Sequence, residues 1–97
     1  MSVMIVPTSV LSIPRGVRLR FDKVRDRWFL LGPERVFEPD DISVEILQRI
    51  DGFRNVAAMT KDLAQVFDAP EDEVCRDVIF FAQGLVDIRM LNAEGAS

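Results

Sequence analysis

Val17, Leu19 and Phe21 alternate with Arg18, Arg20 and Asp22, a period of two that predicts a half-buried strand. Lys23 to Asp26 is a polar connection, and Trp28 to Leu31 is apolar without alternation. That run predicts a central strand covered on one side by helices and on the other by the chain's own N-terminal arm. Pro33 cannot donate to a ladder, so Glu34 to Phe37 is expected at a sheet edge, where free backbone groups form a template for another chain. The periodicity then changes to that of helices. Asp40 or Asp41 caps a first helix carrying Ile42, Ile46, Leu47 and Ile50, with Gly52 as its end. Asn55 or a neighbour caps a second, with Val56, Met59, Leu63, Val66 and Phe67 on one face. After the turn Asp68-Ala69, Pro70 opens a third at its first position, with Glu71, Asp72 and Glu73 where the helix dipole favours negative charge.

In the third helix Val74, Cys75, Val78, Ile79, Phe81, Ala82, Leu85, Val86 and Ile88 span roughly half the circumference at about 100° per residue. So wide an arc serves either a helix buried on several sides or one with an edge free to line a groove beside the Glu34 to Phe37 strand. Phe80 falls on the opposite side among Arg76, Gln83 and Asp87. Cover by the N-terminal arm, a dimer contact or a ligand would each account for it. Gly84 marks either close approach of another backbone or a bend.

These elements predict one domain of the α+β class: a small three-stranded antiparallel sheet followed by three α-helices, winged-helix-like in arrangement. The chain of 97 residues divides into an apolar N-terminal arm over 1–13, a domain over 14–91 and a flexible tail over 92–97 with little to bury. The arm has no basic segment before its apolar run, is broken by Pro7, and is shorter than the roughly 20 residues a membrane span needs, so neither a signal peptide nor a membrane segment is expected. It is expected to pack on its own domain or on a second copy.

Composition narrows the chemistry. With no histidine and no tyrosine, the usual general bases and histidine-activated nucleophiles are excluded. Cys75 has no partner for a disulfide or a metal-ligand set, and a buried, inert thiol is its default reading. A lone cysteine and no metal set point to a cytoplasmic protein without cofactors. The acidic pairs lie at helix starts, where capping explains them, and the five glycines form no phosphate loop. Twelve basic against sixteen acidic side chains leave a net charge of −4, unfavourable for a nucleic-acid backbone. Against that balance, Arg15, Arg18, Arg20, Lys23, Arg25 and Arg27 crowd the first hairpin. Three uses are open to them: clamping acidic groups of a peptide or partner, pairing internally with Asp22, Asp26 and Glu34, or contacting phosphates.

The set Arg15-Gly16-Val17-Arg18, Phe21-Asp22, Arg25, Leu30-Leu31, Pro33-Glu34-Arg35-Val36, Asp51-Gly52, Leu63-Ala64 and Asp77-Val78 resembles the pyrroloquinoline quinone biosynthesis protein D (PqqD) family from Pro14 to about Leu91. Leu-Leu-x-Pro-Glu at that distance from Arg-Gly-Val-Arg is its most specific part, and the apolar arm before Ile13 departs from it, leaving a homodimer open. The resemblance implies a RiPP recognition element without catalytic activity, one that binds the precursor peptide PqqA and presents it to the radical S-adenosylmethionine enzyme PqqE. It implies a peptide adding a strand beside the third helix, which maps to Glu34, Arg35, Val36 and Phe37 and to Val74, Cys75, Asp77 and Val78. Independently of the resemblance, the charge of Arg15, Arg18, Arg20 and Arg25 makes them the candidates to contact acidic groups of the peptide or of the modifying enzyme. The iron–sulfur clusters and methionine-derived cofactor belong to the enzyme. Readings from other classes are a winged-helix DNA-binding protein with the third helix as reader, whose first turn Glu71-Asp72-Glu73 would meet phosphates with like charge, and a ligand-free dimerisation or scaffold domain.

Overall fold

The computed structural model describes residues 4–95. Its elements in chain order are β1 (Val10–Ser12), β2 (Arg18–Asp22), β3 (Arg27–Leu31), β4 (Val36–Phe37), α1 (Asp41–Gln48), α2 (Val56–Phe67), α3 (Glu71–Asp87) and β5 (Asn92–Glu94). The antiparallel sheet β2-β3-β4 has the apolar β3 at its centre, and three helices follow it, the α+β arrangement expected. The β2–β3 loop is set by Asp22, whose Oδ1 accepts from the amides of Val24 and Arg25 at 2.9 and 3.1 Å. Asp26 takes the left-handed conformation at φ 56° that returns the chain into β3.

One face of this sheet carries Leu19, Trp28, Leu30 and Phe37 toward the helices. Leu30 is fully buried with Leu47, Met59, Leu63 and Val78. Among the described residues the N-terminal arm does not cover the other face, as its apolar sequence suggested it would. The arm runs instead to the start of α2, where the carbonyls of Ser9 and Pro7 accept from the amides of Val56 and Ala57, both at 2.9 Å, and the Asn55 side chain accepts from Ala58 at 2.8 Å. The arm thus satisfies two of the amide groups that a helix start leaves without internal partners.

The folded domain does not end at Leu91. Asn92 to Glu94 pairs antiparallel with the arm in the register Val10↔Glu94, Leu11↔Ala93, Ser12↔Asn92, forming a second, two-stranded sheet. Leu11, Met90 and Leu91 are buried beside it. A tail with few apolar residues is held because backbone pairing needs only a strand in the right place. The return is made at the end of α3, where Arg89 adopts φ 63° and the amides of Met90 and Arg89 donate to the carbonyls of Leu85 and Val86 at 2.8 and 3.0 Å. This is the double bond of a Schellman ending, built on arginine where glycine is usual.

Helix boundaries differ from the sequence pattern in three places. Asp40 is the N-cap of α1, its side chain accepting from the Ser43 amide at 2.8 Å, but α1 ends at Gln48 with Arg49 as C-cap. Gly52 stops no helix: it lies in a loop tied by Asp51, whose carboxylate accepts from the amides of Phe53 and Arg54, both at 2.9 Å. Pro70 is the N-cap of α3 and not its first residue. In α2 the buried stripe runs Val56, Met59, Thr60, Leu63, Ala64, which leaves Val66 half in solvent. Gly84 faces open space, so neither close backbone approach nor packing explains it, and Phe80 is 84% exposed, covered by none of the described residues.

Candidate functional site

The site begins with the tight β3–β4 hairpin. The Gly32 amide donates to the Arg35 carbonyl at 2.8 Å, closing the two-residue loop Pro33-Glu34. A Cβ at position 32 would lie 2.7 Å from the Met90 sulfur, so the hairpin packs closely against the Met90 side chain, which would have to shift for any larger residue there. The register pairs Leu31 with Val36 and Leu30 with Phe37. In an antiparallel ladder hydrogen-bonded and non-hydrogen-bonded pairs alternate. With Gly32 and Arg35 bonded, Leu30 and Phe37 form the next bonded pair, and the N–H and C=O of Val36 between them turn away from β3. They point along the outer edge of the sheet, the geometry that accepts a further strand.

Phe37 turns inward and meets Phe81 of α3 with ring centroids 6.0 Å apart. One helical turn back along α3, Asp77 stands at the rim of a cleft of ≈ 180 Å³. The cleft is walled by Ile42 and Ile46 of α1, Phe67 and Ala69 at the end of α2, and Val74 and Val78 of α3, with Glu73 beside Asp77 at the mouth. Phe81, which Phe37 meets, and Asp77 at the rim of the cleft are therefore one helical turn, roughly 5 Å, apart along α3. Val74 and Val78 are nearly all core, at 4% and 0% exposure, and form the cleft floor.

The residues singled out from the sequence separate into groups. Val36 and Phe37 are on β4, one at the open edge and one in the core, while Val74, Asp77 and Val78 are at the cleft. Glu34 and Arg35 are exposed and border a different hollow with Ile88, Arg89 and Met90. Cys75 lies on the α2 side of α3, half-buried, in a depression shared with Ala57, Thr60 and Lys61. It is 100° around the helix from Val74, which is enough to take it out of the cleft.

Of the arginines, Arg25 has its Nε 3.9 Å from Asp22, a weak exposed contact, and its guanidinium lies 5.8 Å from the Phe29 ring centre. Arg27 pairs with Glu38 at 2.9 Å, a partner that sequence proximity did not suggest. Arg15, Arg18 and Arg20 are exposed and make no ion pair among the described residues, so the internal pairing with Asp26 and Glu34 does not form.

Ile42, Ile46, Phe67, Ala69 and Glu73 line the cleft without having been singled out as site residues. Their signal was present in part: Ile42 and Ile46 repeat at i, i+4, and an exposed Ile42 at 55% on a capped helix start is the kind of apolar side chain that invites a partner. Among the described residues no three His, Cys, Asp or Glu side chains come together as a metal site would require. The cleft offers apolar walls and, at its mouth, the two carboxylates of Glu73 and Asp77.

A family model described as "Coenzyme PQQ synthesis protein D (PqqD)" matches residues 27–91. A relative from Rhodopseudomonas palustris (strain TIE-1), named "PqqA binding protein", is 50% identical over 80 residues, 82% of this chain and 78% of that protein. One of the same name from Rhizobium meliloti (strain 1021) is 48% identical over 84 residues, 87% and 86% of the two chains. The solution structure of the PqqD part of Methylobacterium extorquens PqqCD is described as a functional, stand-alone RiPP recognition element. It superposes with a TM-score of 0.79 at 39% identity, covering 91% of this chain and 94% of that one. The crystal structure of PqqD from Xanthomonas campestris gives 0.58 at 43% identity, covering 84% and 90%. The family match spans the hairpin, the cleft and all three helices, and with relatives of this identity and coverage it establishes that the chain belongs to the PqqD family.

Proposed function

We propose that this chain binds the precursor peptide PqqA and presents it to the radical S-adenosylmethionine enzyme PqqE in the cytoplasm, without catalysing a reaction itself. The observation that carries the reading is the outward-turned N–H and C=O of Val36, on a strand whose Phe37 meets α3 at Phe81, one helical turn from the residues of an apolar cleft. A peptide strand paired to Val36 gains backbone hydrogen bonds whatever its sequence, and selectivity comes from alternate side chains entering the cleft. The cleft walls Ile42, Phe67, Val74 and Val78 select apolar side chains; Glu73 and Asp77 at its mouth favour a basic neighbour and repel an acidic one. Cys75 takes no part, and Glu34 and Arg35 contribute backbone and rim. Family membership supports the reading, since relatives identical to this chain at about half of the aligned positions carry the name of a PqqA binder.

The DNA-binding alternative would place α3 in a groove with Glu71, Asp72 and Glu73 in its first turn, and it gains no support from the charge there. The test is a titration of the isotopically labelled chain with PqqA and, separately, with duplex DNA at equal salt. Amide shifts at Val36 and around Ile42, Asp77 and Val78 are expected with the peptide and none with DNA. A peptide that leaves Val36 unmoved removes the strand-addition mechanism, and one that moves nothing removes the function.

A further inference from the structure

The face of the sheet turned away from the helices takes no part in the peptide site, and it gathers the arginines whose charge marked them as candidates for a partner. By strand alternation and register, Arg18, Leu31 and Val36 form one cross-strand row, and Arg20 and Phe29 form the next. Arg25 lies against Phe29 at their end. The result is an apolar centre, with Val36 at 66% exposure, framed by guanidinium groups around a shallow hollow of ≈ 480 Å³. Of the acidic groups near it, Glu38 is taken by Arg27 and Asp22 by the loop amides and Arg25. Arg18 and Arg20 have no ion-pair partner among the described residues. On a chain of net charge −4, this face gathers Arg18, Arg20 and Arg25.

We infer that this face docks an acidic surface of a second folded protein, which, resting on the function proposed above, is the enzyme that receives the peptide. Charge complementarity sets the chemistry of the occupant: carboxylates around an apolar centre. Geometry sets its size. A peptide strand added to β4 lies one strand spacing beyond it, which puts Arg18 and Arg20 on β2 three spacings, roughly 14 Å, from that strand. Side chains stand nearly perpendicular to a sheet, so those of an added strand reach Val36 and stop short of β2. The bound peptide therefore leaves the arginines free, and a body wide enough to span three strands is needed to meet them. Val36 belongs to both surfaces, by its backbone to the edge and by its side chain to this face. Peptide and protein partner are held side by side, the arrangement that handing one to the other requires.

The experiment uses the full chain, its Arg18→Glu, Arg20→Glu double variant, PqqA and purified PqqE, titrated calorimetrically at low and high salt, with sedimentation of each chain alone. Both substituted side chains are exposed, so the thermal midpoint should hold, and peptide affinity should stay within about twofold. Affinity for the enzyme should fall roughly tenfold or more, and the wild-type salt dependence should be largely lost, because screening acts on exposed charges over about 8 Å at physiological ionic strength. A double variant that binds the enzyme as wild type does, or a wild type that binds peptide but no enzyme, overturns the inference and leaves peptide binding standing. A wild-type dimer that the substitutions dissociate also overturns it, by assigning the face to self-contact. Failure of the wild type to bind the peptide overturns the function proposed above instead.

Discussion

Replacing Val36 by proline tests the ladder geometry at a single atom. The register places the Val36 N–H on the outer edge of β4, while the N–H of Phe37, next along the chain, is committed to β3 through its pairing with Leu30. Proline removes the donor and fixes φ near −65°, a value a strand edge tolerates. A hydrogen bond at an accessible edge is worth about 0.5–1.5 kcal/mol net, so PqqA should bind roughly two- to twelvefold more weakly. Folding should change little, by about 1 kcal/mol or less, since no bond to β3 is lost. Phe37→Pro is the counterpart: it breaks a ladder bond and removes the ring packed 6.0 Å from Phe81, and should cost about 3 kcal/mol or more. Calorimetric titration with the peptide and thermal melts of the two variants give the four numbers. For a domain of this size 1 kcal/mol is about 4–8 °C in the midpoint, so the two stabilities are easily told apart. Val36→Pro binding peptide as tightly as wild type while folded would refute strand addition at this edge. If it instead unfolds as Phe37→Pro does, the assignment of inward and outward amides is reversed.

Four further outcomes are expected. With Val78 fully buried, Val78→Asp should unfold the domain at a cost of several kcal/mol, and a folded variant in circular dichroism would show that the cleft admits water to that side chain. Thr60, 3% exposed, has a buried hydroxyl with no hydrogen-bond partner among the described residues, so Thr60→Val should raise stability by about 1 kcal/mol; a lower melting midpoint would mean the hydroxyl is satisfied. Arg89→Gly relieves a left-handed arginine at the end of α3 and should gain roughly 0.5–1 kcal/mol in denaturant melts, the conformational relief of about 1–2 kcal/mol being partly offset by glycine's greater unfolded-state freedom. The Ser43 amide holds the Asp40 carboxyl below its ordinary 3.8, so its capping contribution is complete above that value and is lost as the pH falls through the lowered folded value. Asp40→Asn keeps a cap that does not titrate and should lose less stability than wild type between roughly pH 5 and pH 3.

Local chemistry alone determined the strands over 18–31, the caps at Asp40 and Asn55, the acidic first turn of α3 and the absence of histidine chemistry, because each depends on residues within a few positions of one another. The motif around Leu30-Leu31 and Pro33 to Val36 was equally legible, and with it the family. Tertiary structure decided the rest. Nothing in Asn92-Ala93-Glu94 predicts a strand, since its partner is the arm 80 or more positions earlier. Cys75 and Val74 are neighbours in sequence and share one apolar arc, yet they face different depressions, because which edge of a wide arc meets α1 and which meets α2 depends on how the helices cross. Arg27 found Glu38 and not a nearer carboxylate because hairpin register, and not distance along the chain, brings side chains together. The edge itself was foreseen from Pro33, but that Val36 and not Phe37 carries the free N–H follows only from the alternation of the ladder, a property of two strands together that neither possesses alone.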